Sequence, residues 1–155
     1  MESDRGLTSP HLIIIVATLW TGMLLGVSFI ATPAKFLAPS LTLPVALDVG
    51  RQTFHIFSRI EIGCVFLLAL LVILTRRKTS IAVAALLSGI VAIETVWLLP
   101  ALDARVATII AGQAPPPSSL HAIYVALEAA KFLALAFLVI MSGITLRRHP
   151  VQPRC

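Results

Sequence analysis

The sequence predicts an all-α fold, an integral membrane four-helix bundle with a short interfacial helix on its outer side. Of the 155 residues, 58% are hydrophobic and 12% are charged, whereas soluble domains carry about 25% charged residues. The mean hydropathy is +0.98. The apolar residues also form runs suited to helices that cross a bilayer, at about 20 residues each. Four such helices use most of the length, so we predict a single transmembrane domain over residues 1–155.

The net charge of +5 does not indicate a nucleic-acid partner. The basic residues lie at the ends of apolar runs and are not interleaved with aromatic residues, so membrane orientation explains them better. Cys64 lies within an apolar run and Cys155 is the last residue. We therefore predict no disulfide framework.

The first span is predicted over about residues 12–32, because no charge occurs between Arg5 and Lys35. A cleaved signal peptide is the alternative, but the apolar stretch is longer than the usual 7 to 15 residues or so. Small residues recur every fourth position on this helix, at Thr18, Gly22 and Gly26. This pattern lets two helix backbones approach closely, either within the bundle or between two copies.

The second span is predicted over about residues 54–75. Prolines at 33, 39 and 44 interrupt the chain before it. Its apolar run, Ile62 to Thr75, has 14 residues, which reach only about 21 Å as a helix. Spanning therefore requires the preceding polar segment, which draws charged residues toward the membrane.

The third span is predicted over about residues 79–99, between a basic turn at residues 76–78 and Pro100, with Glu94 as its interruption. Apolar residues at 102, 106 and 109 then recur at helical spacing opposite Asp103 and Arg105. This spacing predicts the short interfacial helix, which three prolines at 115–117 end.

The fourth span is predicted over about residues 119–146. Ser118 and Ser119 can cap it, and Arg147, Arg148 and His149 follow it. Counting basic residues beside the spans places Arg5, Arg76, Arg77, Lys78, Arg147, Arg148 and Arg154 on one side and chiefly Lys35, Arg51 and Arg105 on the other. The positive-inside rule then predicts a multi-pass protein of a bacterial plasma (inner) membrane with both termini in the cytoplasm.

Ionisable residues in three of the spans fall at one predicted depth. Measured from the cytoplasmic ends of their helices, Glu61 lies at roughly 21 Å, and Glu94 and Lys131 at roughly 22 Å. Arg59 and Glu128 lie slightly further out, and Glu128 can pair with Lys131 at i,i+3. Arg59 and Glu61 are rotated by about 200° from one another, so both cannot face inward, and we expect one to reach the headgroups or the interfacial helix.

This polar layer, predicted to lie in the outer half of the bundle, is the candidate ligand-binding site. Charges inside a span are unfavourable unless they are paired or hydrated, so we expect mutual neutralisation inside the bundle. Two interpretations stay open: a structural ion-pair cluster, and a pocket for a small molecule, an ion or a proton. The candidate residues are His55, Arg59, Glu61, Glu94, His121, Tyr124, Glu128 and Lys131.

Metal and nucleophilic chemistry have weaker support. No Glu-x-x-His or His-x-x-x-His pair occurs, and His55 and His121 differ in predicted depth by roughly 7 Å. We therefore predict no metal and no cofactor. Ser58 lies near His55 but in no nucleophile elbow, so no catalytic residue is assigned. These observations favour a non-enzymatic protein but leave open whether the protein is an enzyme.

The order of these features resembles a family of small four-span membrane proteins, mostly of unknown function, that includes eukaryotic transmembrane protein 205. The resemblance implies a four-helix membrane fold and no established reaction, and the third connector here is much shorter than in the eukaryotic form. It rests on Trp20-Thr21-Gly22-Met23, Thr53-Phe54-His55-Ile56-Phe57 through Ile62-Gly63-Cys64, Trp97-Leu98-Leu99-Pro100 before Arg105, and Ser119-Leu120-His121.

A second, weaker resemblance is to the anthrone-oxygenase-like four-span proteins. It rests on Gly26 with Pro33 and Pro39 after the first span, and on His121 after the third. This resemblance implies that the polar layer binds an aromatic or quinone-like substrate.

Two functional hypotheses follow from the sequence. The first is a non-enzymatic membrane protein whose polar layer binds or passes a small solute or stabilises an assembly. The second is a membrane-embedded oxidoreductase or oxygenase. The expected partners are the lipid bilayer, a second copy or another membrane protein, and a small-molecule ligand.

Overall fold

The computed structural model describes the backbone of residues 2–148 and the side chains of residues 10–147. The side chains of Arg5, Arg148, His149, Arg154 and Cys155, which entered the charge and cysteine arguments, lie outside this part of the chain. Their predicted placement is therefore not compared with the structure.

The protein is an all-helical integral membrane protein. Four helical segments of the described chain are long and apolar enough to cross a membrane, and no strand occurs in residues 2–148. These segments confirm the predicted fold class. The four spans are Pro10–Leu37, Leu43–Thr75, Lys78–Ile110 and Leu120–Arg147.

Each span is built from one or more helical elements. The first contains α1 (Glu2–Leu24), a π-helix (Leu25–Ala31), α2 (Thr32–Ala34) and a 3₁₀ turn (Lys35–Leu37). The second is α3 (Leu43–Thr75). The third contains α4 (Lys78–Ile93), a π-helix (Glu94–Leu98) and α5 (Leu99–Ile110). The fourth is α6 (Leu120–Arg148).

The second span begins earlier than predicted, at Leu43 rather than near Phe54. Thr42 has an extended backbone and precedes the first turn of the helix, where Pro44 lies. Proline is tolerated there because the first N–H groups of a helix have no intrahelical partner. The span ends at Arg76, whose φ of 53° is left-handed and stops the helix before the basic turn.

The third span does not end at Pro100, contrary to the sequence prediction. The π-helical turn at Glu94–Leu98 comes directly before it, and the N–H of Leu99 donates to the carbonyl of Glu94. Pro100 then lies in the first turn of α5, and the wider π-helical turn before it lets the helix continue past the proline. The predicted interfacial helix is thus α5, joined to α4 without a loop.

Pro33 is accommodated in the same way in the first span. A π-helix at Leu25–Ala31 precedes it, and the N–H of Thr32 donates to the carbonyl of Val27. The Thr32 hydroxyl donates to that carbonyl as well, at 2.8 Å. The helix therefore continues past the proline to Leu37, which carries Lys35 over the end of the bundle.

The spans pack around one large apolar core, and a second, smaller cluster forms around Leu98, Leu99 and Tyr124. α1 packs against α6 and α3, and α4 packs against α3 and α6. The core contains residues of every span, including Trp20, Leu68, Leu87 and Leu135, each less than 2% exposed. Large apolar side chains also cover the outside, such as Phe66 at 72% exposure. An apolar exterior of this kind suits lipid tails rather than water.

The two ends of the bundle differ in the basic residues that they carry. At the end we call the basic-turn end, Lys78 lines a surface cavity with Pro10 and Thr145, and Arg77 donates to the hydroxyl of Thr145. The opposite end, which we call the vestibule end, contains Lys35, Arg51 and Arg105, all lining one cavity. This division agrees with the charge count for the residues described. Which end faces the cytoplasm stays a prediction.

Candidate functional site

The centre of the bundle holds a lysine bonded to three glutamates, which we call the Lys131 cluster (Lys131, Glu61, Glu94 and Glu128). The Nζ atom of Lys131 donates to Glu61 Oε1 at 2.7 Å, to Glu94 Oε2 at 2.6 Å and to Glu128 Oε1 at 2.8 Å. An ammonium has three N–H donors, so all of them are used. The Lys131 side chain is 0% exposed.

Three spans supply these four side chains. Glu128 and Lys131 stand on α6 at i,i+3, a spacing that places both on one helix face. Glu61 comes from α3, and Glu94 is the first residue of the π-helix in the third span. The cluster therefore ties the second, third and fourth spans together through one ammonium.

Trp20 connects the first span to the same cluster. Its Nε1–H donates to Glu61 Oε1 at 3.0 Å, and the indole is completely buried. Trp20 was not among the predicted site residues. A tryptophan in the middle of a span is nevertheless a signal, because a buried indole N–H usually finds an acceptor.

The cluster carries more acid than base. With every group ionised, one ammonium faces three carboxylates, which leaves two negative charges without a counter-charge. Two buried carboxylate oxygens, Glu94 Oε1 and Glu128 Oε2, have no hydrogen-bond partner among the described residues. Glu94 is 2% exposed and Glu128 is 1% exposed. Buried, unpaired negative charge is strongly unfavourable, so the cluster has a surplus of acid that its own ammonium does not balance.

The arrangement is less suited to a metal ion. Carboxylate oxygens of the three glutamates lie within 4.8 Å of one another, a spacing that alone would suit a cation. However, the Lys131 ammonium already bonds to all three carboxylates. A metal ion would have to displace it.

The contacts agree with the depth worked out from the sequence. Glu61, Glu94 and Lys131, placed in one layer by helix rise, meet through the Lys131 ammonium, and Glu128 joins them. Of the two rotated neighbours on α3, Glu61 is buried and Arg59 is exposed. The role of these residues as ligand-binding groups stays a prediction.

His55 lies outside the cluster. Its Nε2 atom is 2.6 Å from Asp103 Oδ2 on α5, and both side chains are partly exposed. This contact joins the vestibule end of the second span to the predicted interfacial helix. Asp103 was not among the predicted site residues, because its partner could not be read from spacing along a single helix.

An open space that we call the vestibule leads from the Lys35 end of the bundle to the cluster. It consists of two cavities, of about 290 Å³ and about 230 Å³. The residues that line both are Thr32, Phe36, Phe54 and His121.

The inner of the two vestibule cavities reaches the cluster. Glu128 and Tyr124 line it, and the Tyr124 ring packs edge-on against Phe54 with 5.1 Å between ring centroids. Ser28, whose buried hydroxyl has no partner among the described residues, also lines it. Of the predicted site residues, His121, Tyr124 and Glu128 therefore share one cavity.

The small-residue stripe of the first span lies on the outside of the bundle. Thr18 and Gly22 are exposed, and no described atom lies within 4 Å of a Cβ built on Gly22 or Gly26. Packing against a second copy stays a prediction for this face. The opposite face, with Ala17, Trp20 and Leu24, enters the core.

Ser58 and Cys64, which were considered but not assigned to the site, have structural contacts. The Ser58 hydroxyl is hydrogen-bonded to the Thr95 hydroxyl of the third span at 2.9 Å, a contact between neighbouring helices that is common in membrane proteins. Cys64 is a half-buried free thiol that packs against the core.

The fold and the cluster define the class of the protein as a helical integral membrane bundle with a buried ion-pair site. Residues 15–109, more than half of the chain, match the model of the family described as a domain of unknown function (DUF4149). The protein belongs to that family. No curated protein and no solved structure matches the chain. The matched segment includes Glu61 and Glu94 and ends before α6, which carries the other two members of the cluster.

Proposed function

We propose that this protein binds or passes a small solute across the membrane together with protons held by the Lys131 cluster. One observation carries the proposal: three buried carboxylates converge on one ammonium, and two of their oxygens have no hydrogen-bond partner among the residues that the structure describes. The excess of acid over base can be neutralised inside the membrane by added protons.

Protons fit this site better than larger cations. The ammonium of Lys131 stands between the carboxylates, within 2.8 Å of an oxygen of each. A proton binds to an unpaired oxygen without displacing it, and its arrival or departure changes the net charge of the cluster. Such ionisable groups within spans are typical of proton relays in membrane transport.

The vestibule provides the route to the cluster. Glu128 lines its inner cavity, whereas the opposite half of the bundle is filled by apolar residues such as Leu68, Val72 and Leu138. Exchange with water is therefore proposed to occur from the vestibule end. With the predicted orientation in a bacterial plasma membrane, that end faces away from the cytoplasm.

Infrared spectroscopy of the purified protein tests the protons directly. A protonated carboxyl has a carbonyl stretch distinct from that of a carboxylate, and we expect this band at neutral pH. Glu94→Gln should reduce it. Glu2→Gln, which removes a glutamate outside the apolar spans, is the matched control and should leave the band unchanged.

Proteoliposomes test the passage of protons. A pH-sensitive dye trapped inside should report proton entry driven by a potassium diffusion potential. Glu128→Gln should reduce the rate by about a hundredfold or more, the loss expected when a positioned proton-transfer group is removed. If the wild-type protein shows no protonated-carboxyl band and conducts no faster than empty vesicles, the proposal is wrong.

The aromatic lining of the vestibule favours a second candidate function. Phe36, Phe54, Tyr124 and His121 would suit an aromatic or quinone-like substrate of a membrane-embedded oxidoreductase or oxygenase. Relatedness to the transmembrane protein 205 family and to the anthrone-oxygenase-like proteins is likewise a proposal, supported by the sequence resemblances alone. Oxygen consumption with an added hydroquinone, lost in His121→Ala but not in Glu2→Gln, would support the enzyme. No consumption above the protein-free rate would contradict it.

A further inference from the structure

Lys35 places an ammonium in the wall of the vestibule, beside two aromatic rings. Its Nζ atom lies 5.1 Å from the ring centroid of Phe36 and 5.6 Å from that of Phe54. A Cβ on Gly50 would lie 1.9 Å from the same Nζ. Gly50 therefore leaves the space into which the ammonium fits.

The two arginines that line the same cavity as Lys35 already have acceptors in the protein. By contrast, no carboxylate within residues 10–147 forms an ion pair with Lys35. Arg51 pairs with Asp48 at 2.6 Å, and Arg105 donates to the carbonyl of Pro116 at 2.7 Å. Nearby, His55 pairs with Asp103 at 2.6 Å.

We propose that the vestibule binds an amphipathic anion, with its acidic head on the Lys35 ammonium and its apolar body along the aromatic walls. A half-buried ammonium beside aromatic rings is stabilised when a ligand supplies the counter-charge, and concave, mostly apolar sites with a few convergent polar groups are typical ligand sites. Arg51, Asp103 and Arg105 line the same cavity. Phe36 and Phe54 line both cavities and contact the ammonium, so they provide the surface for the body. The head is a carboxylate of a free amphiphile or the phosphate of a lipid.

This inference extends the proposed function by naming the class of solute. It rests on that function only for the passage of the anion across the membrane. The anion enters from the vestibule end, and the Lys131 cluster at the inner end of the same space supplies the protons. Binding of the anion is measured without any flux. A failure of anion binding is therefore distinguishable from a failure of proton exchange.

Native mass spectrometry of the full chain released from detergent tests the binding, with decanoate as the probe. Decanol and decylammonium are the uncharged and cationic analogues of equal chain length. We expect decanoate to bind at least about tenfold more tightly than either, the factor that one charge-assisted hydrogen bond supplies. Lys35→Met should abolish this preference, whereas Lys78→Met, which removes an exposed lysine of the basic turn, should retain it.

Gly50→Ala provides a second variant that keeps every charge. The added Cβ displaces the Lys35 ammonium from its place beside the rings, so we expect a weaker preference for decanoate with the charge of the protein unchanged. This variant also carries the test if Lys35→Met does not fold.

The two sources of the anion give different spectra. A phospholipid retained by the wild-type protein, absent from Lys35→Met and displaced by decanoate, identifies a lipid headgroup. A wild-type protein without retained lipid that still prefers decanoate identifies a free amphiphile. Decanol binding as tight as that of decanoate, or an unchanged preference in both Lys35→Met and Gly50→Ala, would overturn the inference.

Discussion

Replacing Lys131 by methionine removes the ammonium to which all three carboxylates of the cluster are bonded. Methionine is also long and unbranched, so the change removes charge and donors more than volume. The variant leaves Glu61, Glu94 and Glu128 buried without a counter-charge, at side-chain exposures of 4% or less. Lys131 is therefore predicted to contribute more to stability than any other charged residue in the described chain.

The size of the effect follows from the contacts. Each hydrogen bond to a charged group contributes about 1.5 to 3 kcal/mol, and the three bonds share one donor atom and are not additive. Removing one partner of a buried ion pair lowers the free energy of unfolding by about 3 to 5 kcal/mol. We therefore expect a loss of about 4 kcal/mol, equivalent to a fall in Tm of about 10 °C for a chain of this length.

Thermal unfolding in a mild detergent, followed by circular dichroism, measures this loss. Lys78→Met is the matched control because Lys78 is exposed at the basic turn, and its Tm should stay within about 2 °C of wild type. A Tm for Lys131→Met equal to that of Lys78→Met would refute the reasoning, since the three bonds would then contribute nothing to the folded state.

Three further substitutions test single contacts. Trp20→Phe removes the indole N–H that is bonded to the cluster and should lower the free energy of unfolding by about 1 to 3 kcal/mol. The control is Trp97→Phe at an exposed site, which should change the free energy of unfolding by less than about 0.5 kcal/mol. Equal effects of the two substitutions would contradict the contact. Ser58→Ala removes a hydroxyl bond between two spans and should lower stability by about 0.6 kcal/mol in detergent denaturation. Asp103→Asn weakens a partly exposed pair with His55, so we expect a loss below about 1 kcal/mol, and a larger loss would show that the pair holds α5 in place.

The depth of the charged residues could be predicted because the rise of a helix is nearly constant. Counting from the ends of the apolar runs was enough to place Glu61, Glu94 and Lys131 in one layer. The angular positions of side chains around α3 could be predicted equally well, and they showed that Arg59 and Glu61 face different sides of the helix. Both arguments depend only on geometry within one helix.

The structure differed from the sequence prediction where neighbouring groups decide the outcome. Pro33 and Pro100 were expected to interrupt or end their helices, yet a π-helical turn before each allows the helix to continue. Whether such a turn forms depends on how the whole span packs, which local sequence does not contain. Likewise, the Trp20 bond joins residues 41 positions apart, and no single-helix pattern reveals it. The position of Lys35 against Gly50 depends on the continuation of the first span past Pro33.

The number of carboxylates in the cluster separates a structural role from a functional one. A cluster that served only to hold helices together would be satisfied by one carboxylate for its one ammonium, because each further buried carboxylate adds desolvation without a further counter-charge. Here Glu94 and Glu128 each have one oxygen bonded to Lys131 and one oxygen without a hydrogen-bond partner in the described part of the chain. If the surplus is only structural, Glu94→Gln should leave proton flux unchanged and raise Tm, since it removes excess charge and keeps the side-chain shape. If the surplus holds exchangeable protons, the same variant should lose flux while remaining folded. Measuring Tm and proton flux on this one variant therefore decides between the two explanations.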